Sequence, residues 1–230
     1  MKTEDISNKL IINANDESSA IKPNEALFIH DFIKGHNIKK TLEIGFAYAR
    51  SASHIIQATQ SKHIAIDPFQ SNYDNLGLKN IENLGFSEFL DFRNDFSHNV
   101  LPKLAAENHK FEFVFIDGDH KFDGIFIDFY YSDLLINKNG FLMFHDTWMR
   151  STRLVTSYIK KNRLDYKEIK VPLRNLQLFQ KVGDDTRNGM FFKEFYTLRS
   201  ILSHNLIIWM TTGKSNIFKK TLFKLKELVK

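Results

Sequence analysis

The chain has no cysteine among its 230 residues. That excludes disulfides, thiolate nucleophiles and cysteine-ligated zinc. No apolar stretch approaches the roughly 20 residues of a membrane span. The N-terminus lacks the apolar core of a secretory signal, so a cytoplasmic protein is expected. There is no internal repeat, no long linker and no Gly-x-Ser-x-Gly nucleophile elbow. Thr212-Gly213-Lys214-Ser215 lacks the earlier glycine and the preceding strand of a phosphate-binding loop. A net basic excess is also missing outside the tail. The net charge is +5, and the six lysines and one glutamate between Lys214 and Lys230 account for all of it. The rest of the chain is near neutral and gives no electrostatic reason to expect nucleic acid.

What is present favours one folded α/β domain with some extra structure. Hydrophobic residues make up 43% and charged residues 26%, a balance that argues against disorder. The 22 phenylalanines suit core and pocket filling. Residues 1–22 are polar and read as a loose arm or short helix. Pro23 can open a helix to about Lys34, closed at Gly35. Strands are expected at Thr41–Phe46, His63–Ile66, Phe89–Phe92, Phe113–Ile116 and Phe141–Phe144. Helices are expected at Arg50–Thr59, Tyr73–Leu84, Val100–Glu107 and Arg150–Lys161, with Pro102 near the first turn of its helix. Tyr166–Val171 and Leu176–Val182 read as a closing pair of strands. Alternating strands and helices predict a mostly parallel sheet with helices on both faces.

The segment from Phe111 to Trp148 is the most informative. Two apolar runs end abruptly in ionisable groups: Asp117, Asp119 and His120 after the first, His145 and Asp146 after the second. Between them Phe122, Ile125, Phe126, Phe129, Leu134 and Leu135 recur at helical spacing. Strand, helix, strand over this length is a βαβ unit, so the two strands should be parallel neighbours with their carboxyl ends side by side. Ligands bind at that edge of an open α/β sheet. Three acids and two histidines there are costly unless they meet a cation, a proton-transfer partner or a polar ligand.

The first strand ends in Glu43-Ile44-Gly45-Phe46-Ala47-Tyr48-Ala49-Arg50-Ser51. A glycine here lets the backbone pass close to a ligand. Asp67 follows at the end of the next strand, about twenty residues on, where an acid can accept from ribose hydroxyls. Asn94-Asp95-Phe96 follows the third strand, and an acid beside an aromatic suits an adenine.

These motifs resemble those of class I S-adenosylmethionine-dependent methyltransferases. The Ile-Asp-Gly-Asp-His block and the later His-Asp pair are similar to a group that includes metal-dependent sugar and small-molecule O-methyltransferases. The resemblance spans roughly Pro23 to Val182 and implies a Rossmann-like fold. It also implies that the strand-1 loop (Glu43, Gly45, Ala49, Ser51) lies beside the methionine part of the cofactor. Asp67 would hold the ribose, with Asp95 and Phe96 near the adenine. By the same resemblance Asp117, His145 and Asp146 are candidate ligands for Mg²⁺ or Mn²⁺, Asp117 shares in catalysis and His120 is the candidate general base. The family usually has a second glycine where this chain has Ala49. His145 stands where the metal-dependent relatives carry a carboxylate, so it is also a candidate for a supporting or substrate contact. A small-molecule acceptor is implied. A hydroxylase-like metal enzyme on the same scaffold and a binding protein without turnover remain alternatives.

The implied organisation is an arm (1–22), a methyltransferase domain (23–183) and a basic helical appendage (184–230). Met190–Ser203 reads as an aromatic helix. Ile217–Lys230 reads as a basic amphipathic helix suited to a second subunit or an anionic membrane surface.

Overall fold

The computed structural model describes residues 3–195. Seven strands form one sheet in the order β3-β2-β1-β4-β5-β7-β6. They are β1 Thr41–Ile44, β2 His63–Ile66, β3 Leu90–Arg93, β4 Phe111–Ile116, β5 Ile136–Phe144, β6 Tyr166–Ile169 and β7 Gln177–Lys181. The first five pair in parallel, and β7 runs antiparallel to both β5 and β6. The α-helices are α1 Glu4–Lys9, α2 Pro23–Gly35, α3 Arg50–Thr59, α4 Leu76–Asn83, α5 Ser97–Ala106, α6 Phe122–Leu135 and α7 Arg150–Asn162. This is the mixed, mostly parallel sheet that the alternating pattern predicts.

Both faces of the sheet are covered, so β1 and β2 are buried at every position, Thr41, Glu43 and His63 included, as is most of β4 and β5. On one face Leu42, Ile44, Val114, Ile116, Leu142 and Phe144 meet Leu101 and Leu104 of α5, Ile125 and Phe129 of α6, and Val155 and Ile159 of α7. On the other, Phe113, Phe115 and Met143 meet Ala26, Ile29 and Ile33 of α2 and Ile55 of α3. The spacing of Ala26, Ile29 and Ile33 puts them on one side of α2. Pro23 sits at its start, and the Glu25 side chain accepts from the Lys22 N–H at 2.9 Å.

Several elements depart from the sequence reading. The arm is docked: Ile6 is fully buried, and Asn80 exchanges hydrogen bonds with the Ile11 backbone at 2.8 and 3.0 Å. Residues expected to open a helix at Tyr73 instead form a 3₁₀ turn, Gln70–Tyr73, and α4 starts after left-handed Asp74 and Asn75. Helix α5 begins a turn earlier than expected, so Pro102 lies in its interior and removes one helical hydrogen bond. Strand β5 starts earlier too, at Ile136, with a register shift where Asn139 takes a left-handed conformation. Residues 190–195 carry no helix, so the expected Met190–Ser203 helix does not start where its periodicity suggested. Its remainder and the basic segment Ile217–Lys230 lie outside the described residues. Among the described residues no helix is long and apolar enough to cross a membrane.

Candidate active site

Sheet register puts the candidate residues in one row. Ile44 pairs with both Ile66 and Ile116, and Ile116 pairs with Phe144. The next residues, Gly45, Asp67, Asp117 and His145, therefore leave the sheet side by side. The ladder runs one step further: the Gly45, Asp117 and His145 N–H groups donate to Ile66, Ile44 and Ile116 carbonyls at 2.9, 2.8 and 3.1 Å. A pocket of about 630 Å³ follows this row.

At the β1–β2 end the backbone does most of the holding. Gly45 has φ +93°, and a Cβ there would stand 2.0 Å from the Asp117 carbonyl oxygen, so only glycine fits. Asp67 Oδ2 accepts from the Phe46 and Ala47 N–H groups at 3.0 and 2.8 Å, and Oδ1 accepts from Phe69 N–H at 2.7 Å. One carboxylate thus ties the loop after β1 to the loop after β2, and it keeps lone pairs for the pocket that it lines. Ala49, where a second glycine was expected, is buried in the left-handed region at φ +61° and opens α3. That conformation costs an alanine about 1–2 kcal/mol.

Not every candidate reaches the pocket. Glu43 is fully buried beneath the loop, where its Oε2 meets His63 Nε2 at 3.2 Å and the Ser51 hydroxyl also bonds to it. Burial outweighs these contacts and raises the Glu43 pKa. Neither Glu43 nor Ser51 lines the pocket. Asp95 turns away as well, accepting from Asn99 Nδ2 at 2.9 Å and from the Phe96 N–H at 2.8 Å. The Asn99 bond first, and then the Phe96 N–H, hold its pKa below the ordinary value. Phe96 is on the wall and half exposed, facing Phe69 edge to face with ring centres 5.6 Å apart.

Phe69 and Arg50 were not singled out in the sequence. For Phe69 the signal was available: an aromatic two residues past the acid that ends β2. Arg50 is 5% exposed and lines the pocket. It donates to the Ile21 carbonyl of the arm, lies 3.7 Å from Glu17, and leaves its Nε without a partner.

At the β4–β5 end side-chain charges do the holding. Asp117, His120 and Asp146 present ligand atoms that all lie within 4.8 Å of one another. His120 Nε2 is 2.9 Å from Asp146 Oδ2. His145, also expected in the metal set, reaches both Asp117 and Asp146 and is held from behind by Glu25. Its Nδ1 lies 3.0 Å from Asp117 and 3.4 Å from Asp146, and its Nε2 is 3.1 Å from Glu25, which comes from α2. Asn175 Nδ2 approaches the same Nε2 at 2.9 Å. Burial pulls the His145 pKa down, but Asp117, Asp146 and Glu25 outweigh it and push it up to about 12. Burial likewise works against Asp146, but His120 and His145 hold its pKa well below the ordinary range. Asp117 goes the other way, because desolvation outweighs its contact with His145. The His120 pKa is raised, chiefly by its bond to Asp146.

The donor set fits a divalent cation. Asp117, Asp146 and Glu25 carry three negative charges when ionised, against one on protonated His145. With His120 neutral, two charges remain to be balanced. The pocket likewise fits a nucleoside-type cofactor: a glycine cradle, an acid at its rim and two facing aromatic rings. Asp119 plays a local part, accepting from the Lys121 N–H at 3.0 Å.

The chain is similar to known proteins in sequence and in fold. Caffeoyl-CoA O-methyltransferase 1 of Arabidopsis thaliana is 35% identical over 100 residues, covering 41% of this chain and 38% of that protein. The Zea mays protein of the same name is 38% identical over 100 residues, with the same coverage. The matched stretch thus spans under half the length of these curated relatives. Among solved structures, the O-methyltransferase from Bacillus cereus in complex with SAH superposes with a TM-score of 0.63 at 14% identity, over 74% of this chain and 86% of that one. TomG from Streptomyces achromogenes, involved in tomaymycin synthesis and solved with SAM, gives 0.66 at 15% identity, over 80% and 92%. At such identities these two matches establish the fold alone. The family profile described as O-methyltransferase matches residues 7–187, nearly the whole described chain, and the protein belongs to that O-methyltransferase family.

Proposed function

We propose that the chain transfers the methyl group of S-adenosylmethionine to a hydroxyl oxygen of a small molecule, assisted by a divalent cation. The observation that carries this reading is the convergence of Asp117, His120 and Asp146 within 4.8 Å on the wall of the pocket that also holds Gly45, Asp67, Phe69 and Phe96. Asp67 accepts from the ribose hydroxyls, Phe69 and Phe96 flank the adenine, and Gly45 admits the amino-acid end. Asp117 and Asp146 are the carboxylates that would hold Mg²⁺ or Mn²⁺. Such a cation acidifies and positions an acceptor hydroxyl. Protonated His145, braced by Glu25, fixes the orientation of Asp117. His120, half exposed at the rim, takes the hydroxyl proton as the new C–O bond forms and the sulfonium leaves as a neutral thioether. The caffeoyl-CoA enzymes support a small-molecule acceptor, but the shared stretch is too short to carry their acceptor across.

Calorimetry with S-adenosylhomocysteine and a methyl-transfer assay with labelled donor test this reading. Turnover is expected to vanish in EDTA and to return with Mg²⁺ or Mn²⁺. Asp117→Asn is expected to lower it roughly 100- to 1000-fold while the protein stays folded. Full activity after rigorous metal removal would reject the cation. No cofactor binding at millimolar concentration would reject the enzyme and leave a binding protein. His120→Ala separates base from ligand: a base leaves Mn²⁺ affinity intact, whereas a ligand does not.

A further inference from the structure

A second cleft, of about 730 Å³, lies between α7 and the segment that joins β6 to β7. Arg150, Arg153, Lys170 and Arg174 surround it. A fifth cation on its rim, Lys160, is neutralised by Glu168 at 2.7 Å. Among the described residues the other four side chains meet no carboxylate and no hydrogen-bond acceptor. Outside Lys214–Lys230 the lysines and arginines of this chain balance its aspartates and glutamates, so this concentration is not one sample of a generally basic surface. Four like charges around one concavity repel each other and focus a positive field into it.

The cleft opens beside the reaction edge. Thr147, next in the chain after Asp146, is on its wall and donates to the Arg174 carbonyl at 2.7 Å. Asn175, next after Arg174, lies 2.9 Å from His145 Nε2 and 3.4 Å from Asp146. The strap that carries Arg174 is therefore tied to the residues behind the candidate metal position. The cleft is also lined by Val171, Leu173 and Leu176, apolar surface that a bare ion would not use but an organic phosphate would.

We infer that this cleft binds the phosphate or diphosphate of the methyl acceptor, so that the acceptor hydroxyl reaches across Thr147 to Asp117, His120 and Asp146. The acceptor class is then a phosphate ester, such as a phosphorylated or nucleotide-linked sugar. The arginines grip its oxygens in pairs. The direction of delivery rests on the methyltransferase reading; the anion site itself is tested apart from it.

The probe is inorganic pyrophosphate, titrated calorimetrically into the full chain in metal-free, low-salt buffer, with and without S-adenosylhomocysteine. Pyrophosphate is expected to bind and not to displace S-adenosylhomocysteine. The double variant Arg153→Gln/Arg174→Gln is expected to bind pyrophosphate roughly 10-fold or more weakly while keeping its affinity for S-adenosylhomocysteine. If S-adenosylhomocysteine fails to bind but pyrophosphate binds and the variant weakens it, the methyltransferase reading falls and the anion site stands. No pyrophosphate binding, binding that the double variant retains, or competition with S-adenosylhomocysteine would overturn the inference. Sedimentation with phosphatidylglycerol vesicles that the double variant loses, in a protein that ignores pyrophosphate, would overturn it as well and assign the patch to a membrane surface.

Discussion

The two ends of the site row are held by different means. At the β1–β2 end the loops are stitched by main-chain donors: three backbone N–H groups converge on Asp67, and Gly45 passes against the Asp117 carbonyl where no side chain fits. At the β4–β5 end the links are carboxylate to imidazole, reaching as far in sequence as Glu25 and His145. Three main-chain donors on one carboxylate give a fixed cradle, with the Asp67 oxygens held in place by the backbone. The charge network is poised: remove one member and its partner is left buried and uncompensated. A cradle suits a cofactor of constant shape, whereas a charge network suits a step in which charge moves.

The largest effect expected from this contrast lies on α6, the helix joining β4 to β5. Asp128 is fully buried there, with neither carboxylate oxygen in a well-formed hydrogen bond. Burial, opposed only weakly by Ser97, raises its pKa to about 7. A carboxyl whose folded pKa lies above its unfolded value stabilises the fold when protonated. Stability should therefore be full below about pH 4, fall as the pH rises towards 7, and be flat above. Asp128→Asn should match the parent near pH 4 and exceed it at pH 8 by on the order of 4 kcal/mol in chemical denaturation. Equal stability of the two proteins at pH 8 would show that Asp128 has a partner after all, and that the β4–β5 half leaves no charge unpaired.

The next effect tests the cradle. Asp67→Ala should weaken S-adenosylhomocysteine binding by about 1–3 kcal/mol, roughly 5- to 150-fold, by calorimetry. An unchanged affinity would mean that Asp67 serves only to tie the two loops. The smallest effect concerns Ala49. Replacing it with glycine relieves a left-handed alanine but gives up a buried methyl worth about 0.8 kcal/mol. The thermal midpoint should therefore move by only a few degrees, upward if strain dominates. A large loss of stability would show that the Ala49 methyl packs as core and that the loop is not strained.

Much of the first contrast was legible in the sequence. Apolar runs that stop at Asp67, Asp117 and His145 mark strand ends, and parallel pairing brings strand ends to one edge, whereas the first strand was expected to run on to Phe46 and stops at Ile44. Phe69 could have been read from its place after Asp67 and Pro68. The split between those who line the pocket and those who do not was not legible. Glu43 and Ser51 look like loop residues beside the cofactor, yet alternation along β1 turns Glu43 under the loop towards His63. Asp95 was diverted by a local competitor, Asn99 in the first turn of α5.

The sequence by itself determined the order of elements, the parallel sheet and the row of ionisable groups, because strand periodicity and chain connectivity are local properties. The tertiary structure alone decided how each imidazole meets Asp117 and Asp146. Two histidines share two acids: His145, held from behind at 3.1 Å by Glu25, 120 residues away, contacts both, while His120 meets Asp146 from the rim. The basic cleft has the same origin. Arg150 and Arg153 sit on α7, and Lys170 and Arg174 on a strap beyond β6, so nothing in their spacing announces a site until the sheet edge brings helix and strap together. Electrostatic partnership depends on distance in space, and spacing along a chain fixes that distance only within one element.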